Sequence, residues 1–293
     1  MTRAHATTPD NHAAAGWLVE PAPAKINLAL HVRARMADGY HRIETIFAFA
    51  RDGDMLAARP DADLQLAIDG PFAAGLDAGA DNLVLRAAEA LRAATGIRAG
   101  AALRLTKALP IAAGIGGGSS DAAAALRLLA RMWGVEADLD AIARTLGADV
   151  PACLHNRAVM GTGRGEELVP LAGAERLTGM PLLLVNPGVA MPTGPVFRGW
   201  DGQDRGPLTI GNDPLAAARA GRNDLAPPAM ALAPVIARLV GWLAARPGAV
   251  LARMSGSGAT CFALFEQVDA RDAAADAIAR DWPDAWRMAT SLA

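Results

Sequence analysis

Lysine is nearly missing from this chain of 293 residues: of 28 basic side chains only Lys25 and Lys107 are lysines. Tyrosine occurs once, at Tyr40, and cysteine twice, at Cys153 and Cys261. The two cysteines form no close pair and fit no metal-ligand spacing, so they read as small buried apolar residues in a reducing compartment. No run of about 18 apolar residues is present, which excludes a helical membrane span. Residues 1–16 are polar and alanine-rich, without an apolar stretch of signal-peptide length. They read as a disordered extension and the protein as cytoplasmic. A net charge of −2, from 28 basic and 30 acidic residues, leaves no polybasic surface for nucleic acid or membrane. An anionic ligand has to be met by local donors.

Apolar side chains are plentiful, at 52 % of the chain, and this length makes one large or two modest domains with a real core. After Pro23, alternation puts Ile26, Leu28, Leu30 and Val32 on one face of a strand, with Lys25, Asn27, Ala29 and His31 on the other. Asp38-Gly39 predicts a turn, and Ile43, Thr45, Phe47 and Phe49 alternate on the return strand. Asp52-Gly53 predicts a second turn, and Leu64, Leu66 and Ile68 another strand: an antiparallel start. Asp81 or Asn82 caps a helix over Leu83–Thr95, which Gly96 ends. A strand over Ala101–Lys107 and a helix closing at Gly134 follow, then a third helix over Asp138–Leu146. Strand-like runs near Arg157–Met160 and Leu168–Leu171 close a first domain, residues 17–175.

The pattern restarts with a buried strand at Leu182–Val185 and a loop over Asn186–Val196. Gly199–Arg222 has no period and reads as loop with one short helix. Helical spacing returns over Ala229–Ala245. Ala249–Phe265 reads as strand, turn and strand around Ser255-Gly256-Ser257-Gly258. A helix over Asp269–Trp282, capped by Asp269, and a strand from Trp286 complete a second α+β domain, residues 176–293.

Between the Ala101–Lys107 strand and the next helix lies L-P-I-A-A-G-I-G-G-G-S-S-D, Leu109–Asp121. Gly114, Gly116, Gly117 and Gly118 leave successive backbone N–H groups bare and allow positive φ, so the main chain can curl around an anion. Ser119 and Ser120 are placed to cap the helix, whose N-terminus adds partial positive charge and unpaired donors. Ala122–Ala125 permit close packing behind the loop. The plainer alternative is a glycine turn that only joins two elements. No Lys-Ser or Lys-Thr closes the loop as in a Walker sequence, and Ser119 stands where a dinucleotide fingerprint needs its third glycine.

A phosphate loop makes two distant residues candidates for chemistry. Phosphoryl transfer to an alcohol needs an acceptor for the hydroxyl proton and a cation near the developing charge. Asp149, in G-A-D-V-P, and Lys25 are the pair that motif context offers. Taken singly, each has a plainer reading: Asp149 as a turn acid making an Asx bond, Lys25 as a solvated strand residue.

The glycine loop resembles the P-x-x-x-G-[IL]-G-[GS]-[GS]-S-S loop of the GHMP small-molecule kinases. P-A-P-A-K-I-N-L-A-L, A-D-G-Y-H-R-I-E-T, L-G-A-D-V-P and S-G-S-G-A also stand in the order found in one member whose substrate carries a cytidine diphosphate group. The resemblance runs from Trp17 to the C-terminus; many members have Asn where this chain has Asp121. It implies an α+β fold: an ATP-binding domain with a mixed or antiparallel sheet, then a ferredoxin-like C-terminal domain. It implies that Pro110, Ile111, Ala112, Ala113, Gly114, Ile115, Gly116, Gly117, Gly118, Ser119 and Ser120 wrap the phosphates of ATP. Lys25 and Asp149 match the catalytic pair and Asn27 the contact to substrate near the acceptor. Tyr40, His41 and Phe197 match the cytidine site, where an aromatic face stacks on a pyrimidine and an imidazole pairs with its edge. Phe197 has an ordinary core phenylalanine as its alternative. Mg²⁺ is implied with ATP, its ligands unassigned. The implied partner is a small molecule, with no nucleic acid or membrane, and the implied state is a monomer or weak homodimer. The rival readings are a family member acting on homoserine or mevalonate and a nucleotide-binding protein without turnover.

Overall fold

The computed structural model describes residues 16–293; the extension expected at residues 1–16 lies, but for Gly16, outside the described residues. The chain makes two compact units, each gathered from separate stretches. The first takes the chain up to Ala24, then Asp52–Ile111 and Gly116–His155; the second takes Lys25–Arg51, Ala112–Ile115 and Asn156–Ala293. Two long strands, β1 (Leu18–Arg35) and β2 (His41–Asp61), contribute to both.

In the first unit the end of β2 pairs antiparallel with β4 (Gly100–Thr106), Met55 opposite Thr106. β4 in turn pairs with β3 (Leu64–Asp69) in parallel. The expected antiparallel start therefore fails at β3, because α1 (Leu83–Thr95) intervenes and serves as the crossover that parallel neighbours require. Nor is Asp52-Gly53 a turn: β2 runs straight through it. The glycine answers a different need, since a Cβ on Gly53 would lie 2.1 Å from the Ala22 carbonyl oxygen and 2.6 Å from Pro23 Cα.

α1 follows the sequence closely. Asn82 Oδ1 accepts the Val84 N–H at 2.9 Å, Gly96 closes the helix at φ +72°, and Val84, Ala87, Ala88 and Leu91 form its buried stripe. That stripe packs on α2 (Gly117–Trp133), whose Ala122–Ala125 are all buried. α3 (Leu139–Leu146), capped by Asp138, and α4 (Val150–His155) complete the helical layer.

In the second unit the first half of β2 pairs with β5 (Val159–Thr162), which pairs with β6 (Glu167–Pro170). A second sheet contains β7 (Pro181–Asn186), β8 (Ala249–Met254), β9 (Cys261–Phe265) and β10 (Trp286–Ser291) in the order β10-β7-β9-β8, all antiparallel. Helices connect β7 to β8 and β9 to β10, so the chain runs β-α-β-β-α-β, the ferredoxin-like arrangement. β7 and β9 are central and buried along their whole length.

Between β7 and β8 come α5 (Thr193–Arg198), α6 (Pro214–Ala220), α7 (Ala226–Leu232) and α8 (Val235–Ala244). The one helix expected over Ala229–Ala245 is two, broken at Ala233-Pro234, since the residue before a proline is pushed out of helical geometry. The loop expected over Asn186–Val196 ends in α5, which carries Phe197. α9 (Val268–Asp281) opens after Gln267, so Asp269 lies in its first turn and does not cap it. α8 and α9 pack on the sheet.

The patternless segment Gly199–Arg222 binds β1 by polar contacts. Leu30 N–H donates to the Arg222 carbonyl, Arg33 pairs with Asp204, and His31 accepts the Arg222 N–H on Nε2 while Nδ1 faces the Gly206 carbonyl. Arg253 of β8 reaches the carbonyls of Leu28, Ala218 and Gly221, and burial pulls its guanidinium down to about 10.

Candidate functional site

β1 carries Lys25 and Asn27 on one face, as alternation requires, but that face is not solvated: the two are 4 % and 2 % exposed. Lys25 Nζ donates to Asn27 Oδ1 at 3.0 Å and lies 5.1 Å from the centre of the Phe47 ring. Asn27 Nδ2 donates to Thr45 Oγ1 at 2.8 Å, and the Thr45 hydroxyl donates to the Ala29 carbonyl. The amide is thereby fixed with its oxygen towards the ammonium.

The same strand holds the middle of the glycine loop. Lys25 N–H donates to the Ile115 carbonyl at 2.9 Å, and Ser255 Oγ accepts the Asn27 N–H and donates to the Gly114 carbonyl. Thr260 N–H donates to the Ala113 carbonyl. Ala112–Ile115 is thus clasped between β1 and the Ser255-Gly256-Ser257-Gly258 turn. Gly114 sits at φ +76°, where a Cβ would lie 2.5 Å from the Ser255 oxygen and 2.6 Å from that of Gly258. Ala112 also takes a left-handed conformation, at φ +50°, a strain that a side chain tolerates only where its surroundings impose it. Pro110 is half-buried, and Ile111 is exposed.

In the first unit the loop's far end becomes α2. Ser119 and Ser120 do not cap it: the helix opens on Gly116 at φ +64°, a left-handed entry that a capping serine, which needs extended backbone, cannot supply. Ser120 Oγ donates to the Pro23 carbonyl at 2.6 Å. The first ladder bond runs from Ser120 N–H to the Gly116 carbonyl, so Gly117, Gly118 and Ser119 carry first-turn N–H groups that point out of the helix end. Asp149 lies in the turn that leads from Gly147 into α4, the Val150 N–H closing it on the Gly147 carbonyl. It immediately precedes α4, and its carbonyl accepts the Cys153 N–H. α4 packs on α2, and Arg127 of α2 holds its far end through the Cys153 and Leu154 carbonyls. Lys25 and Asp149 belong to different units.

Behind the loop lies a buried charge cluster that sequence reasoning missed. Lys107 Nζ donates to Asp54 Oδ2 and, at 2.7 Å, to Asp121 Oδ2; Asp54 Oδ1 accepts the N–H groups of Ala108 and Leu109. Burial would lower the Lys107 ammonium, but Asp121 and Asp54 outweigh it and raise it. Burial also lifts the Asp121 carboxyl to about 7 against the pull of Lys107, with Asp54 pushing the same way as burial. A raised carboxyl contributes stability that is complete below its unfolded value and is lost as pH rises through 7. Thermal melts from pH 5 to 8 should therefore show the wild type losing ground to Asp121→Asn as pH rises; parallel curves would refute the assignment.

A second constellation gathers in the second unit. His41 on β2 lies 5.1 Å, ring to ring, from Phe197 on α5 and 5.7 Å edge-on from Trp200. Burial, with Arg35 adding to it, lowers His41, which is therefore a neutral ring with one donor and one acceptor nitrogen. Among the described residues, His41 Nε2 and Trp200 Nε1 are buried polar atoms without a hydrogen-bond partner, a debt that a polar ligand can settle. Trp200 also lines a cleft of about 560 Å³ with Arg33, Ala34, Arg35, Asp201 and Gly202. Tyr40 is 57 % exposed, with the Arg164 guanidinium 4.3 Å from its ring centre and Asp38 holding that guanidinium at 2.7 Å. Trp200, Ser255, Thr45 and Arg164 are the participants that motif reading left out. Ser255 and Thr45 had a signal, as members of the runs S-G-S-G-A and A-D-G-Y-H-R-I-E-T, while Trp200 and Arg164 had none.

Residues 82–157 match the model of the GHMP kinases N terminal domain and residues 212–287 that of the GHMP kinases C terminal. The chain is 60 % identical to a 4-diphosphocytidyl-2-C-methyl-D-erythritol kinase of Rhizorhabdus wittichii over 93 % of its length and 94 % of the relative's. It is 54 % identical to one of Sphingopyxis alaskensis over 94 % and 97 %. A solved 4-(cytidine 5'-diphospho)-2C-methyl-D-erythritol kinase superposes with a TM-score of 0.77 at 39 % identity, covering 94 % of this chain and 99 % of that one. A homoserine kinase from Cytophaga hutchinsonii, at 16 % identity and a TM-score of 0.67, shares the fold.

Proposed function

The chain belongs to the GHMP kinases, and on that premise we propose that it transfers the γ-phosphoryl group of ATP to the 2-hydroxyl of 4-diphosphocytidyl-2-C-methyl-D-erythritol, a step of the non-mevalonate isoprenoid route. The observation that carries most weight is the buried Lys25–Asn27 pair on a strand whose backbone is bonded to the glycine loop. A loose phosphoryl-transfer transition state asks the protein chiefly for position and charge. In this reading the bare amides of residues 110–120 cradle the phosphates, and the Lys25 ammonium stabilises charge at the hydroxyl and the transferring group. Asn27 orients the substrate near the acceptor oxygen, and Asp149 takes or orients the hydroxyl proton. The cytosine lies against Tyr40 and Phe197 with its edge at His41, whose Nε2 then gains the partner it lacks. The residues give Mg²⁺ no cage: among the described residues no group of three or more His, Cys, Asp or Glu could hold a metal. Mg²⁺ is therefore proposed as the nucleotide's companion, held by phosphate oxygens and water.

Among the described residues no helix is long and apolar enough to cross a membrane, and the enzyme is proposed to act in the cytoplasm as a monomer or weak homodimer. ADP release should appear with the cytidine substrate and not with homoserine or mevalonate, and CDP should compete with that substrate. Phe197→Ala should raise the KM for the substrate roughly tenfold, the worth of one base–aromatic stack. Turnover of mevalonate or homoserine without CDP inhibition would overturn the substrate.

A further inference from the structure

We propose that Lys107, with Asp54 and Asp121, is a positioning residue for the nucleotide: a buried brace that fixes the distance between the two ends of the glycine loop. Three ionisable side chains share a site where Lys107 is 3 %, Asp54 1 % and Asp121 4 % exposed. Such clusters are costly in solvation, and well-packed apolar residues of similar volume are often as stable. What charges supply that apolar groups lack is direction.

The directions are legible in the contacts. Asp54, on β2, takes the N–H groups of Ala108 and Leu109 on one oxygen, which fixes where the chain leaves β4 and enters the loop. Its other oxygen meets the Lys107 ammonium, and the same ammonium meets Asp121, the fifth residue of α2, which fixes where the loop ends. One cation thus ties the loop's entrance to its exit. Gly117, the first residue of α2, belongs to the device: a Cβ there would lie 3.3 Å from Lys107 Nζ and 3.6 Å from Asp54 Oδ2. Its absence lets the ammonium lie directly under the helix end whose N–H groups face outward. Asp121 Oδ1 is buried without a partner, so the position is not optimised as a closed ion pair. A ligand bound by the loop feels the brace twice, through the spacing of the amides and through the field beneath them.

The brace rests on the reading of the loop as the ATP cradle. It is tested by steady-state kinetics for both substrates, calorimetric titration with a non-hydrolysable ATP analogue, and melting temperatures. Lys107→Met leaves two carboxylates facing each other; the KM for ATP should rise at least about tenfold while that for the cytidine substrate stays within about twofold. Should that variant not fold, Asp121→Ala and Asp121→Asn carry the test. The alanine cuts the tie to α2 and should weaken the analogue at least about fivefold; the asparagine keeps a side-chain oxygen for the ammonium and should restore binding to within about twofold of wild type. Lowered melting temperatures with unchanged nucleotide affinity, or equal rises in both KM values, would make the cluster merely structural and overturn the brace. A wild type that binds no ATP analogue at all would overturn the cradle reading and the brace with it.

Discussion

Asp149→Asn is expected to lower kcat by roughly 10²–10⁴-fold, the range for losing a general base, while both KM values move less than about threefold. The exchange is nearly isosteric, and Asp149 sits half-buried immediately before α4, held there by a main-chain bond that asparagine retains. The melting temperature should therefore stay close to wild type. Lys25→Ala should produce a loss of similar size by a different route, since it strands Asn27 Oδ1 without its donor and removes the only ε-ammonium on β1. If the two act as a unit, the double variant will be little worse than either single one. An Asp149→Asn enzyme within about tenfold of wild-type kcat would remove the aspartate from the chemistry. A loss near the lower end of the range would favour orientation of the alcohol over outright deprotonation, because a loose transition state asks for little proton removal.

Gly114→Ala should be severely damaging for so small a substitution. Its Cβ would sit 2.5–2.8 Å from three backbone atoms of the Ser255–Gly258 turn, none of which can swing aside as a side-chain tip can, and φ +76° adds the left-handed penalty. A cost of roughly 3 kcal/mol or more follows, about a 6–12 °C fall in melting temperature for a chain of this size, together with loss of ATP binding. Gly134→Ala is the control: φ +63° imposes similar strain, but nothing lies within 4 Å of the added carbon, so about 1 kcal/mol is expected. Equal losses in the two variants would show that the close packing at Gly114 is irrelevant.

Where local rules had no competitor, the sequence was a sufficient guide. The α1 boundaries came from Asn82, Gly96 and one apolar stripe, and β7 from an unbroken apolar run. Two misreadings share a cause, a glycine or serine whose neighbours lie far away in sequence. Gly53 looks like half of a turn until Ala22 is found against it, and Ser120 looks like a cap until Pro23 takes its hydroxyl. The plainer alternative for Lys25, a solvated strand residue, fails for another reason: alternation assigns a face but cannot say that both faces are covered. The candidate site was legible where it is written in contiguous motifs: the loop, P-A-K-I-N, G-A-D-V-P. It was illegible where it is assembled by tertiary contact, as with Trp200 against His41 or Asp54 and Asp121 converging on Lys107 from β2 and α2. A parallel β3–β4 pair was likewise hidden, since hairpin signals report neighbours in sequence and a crossover joins strands that are not.

The scarcity and burial of lysine have a practical corollary. Apart from the terminal amine, an acylating reagent finds two ε-amines in the whole chain, both at least 96 % shielded from solvent. The folded protein should stay almost unlabelled on lysine under conditions that saturate an ordinary protein of this mass, and carrier coupling through amines should leave both lysines untouched. Any acyl group that mass spectrometry finds on Lys25 or Lys107 would then mark a molecule that had come apart around its glycine loop, and a bound nucleotide should slow its appearance.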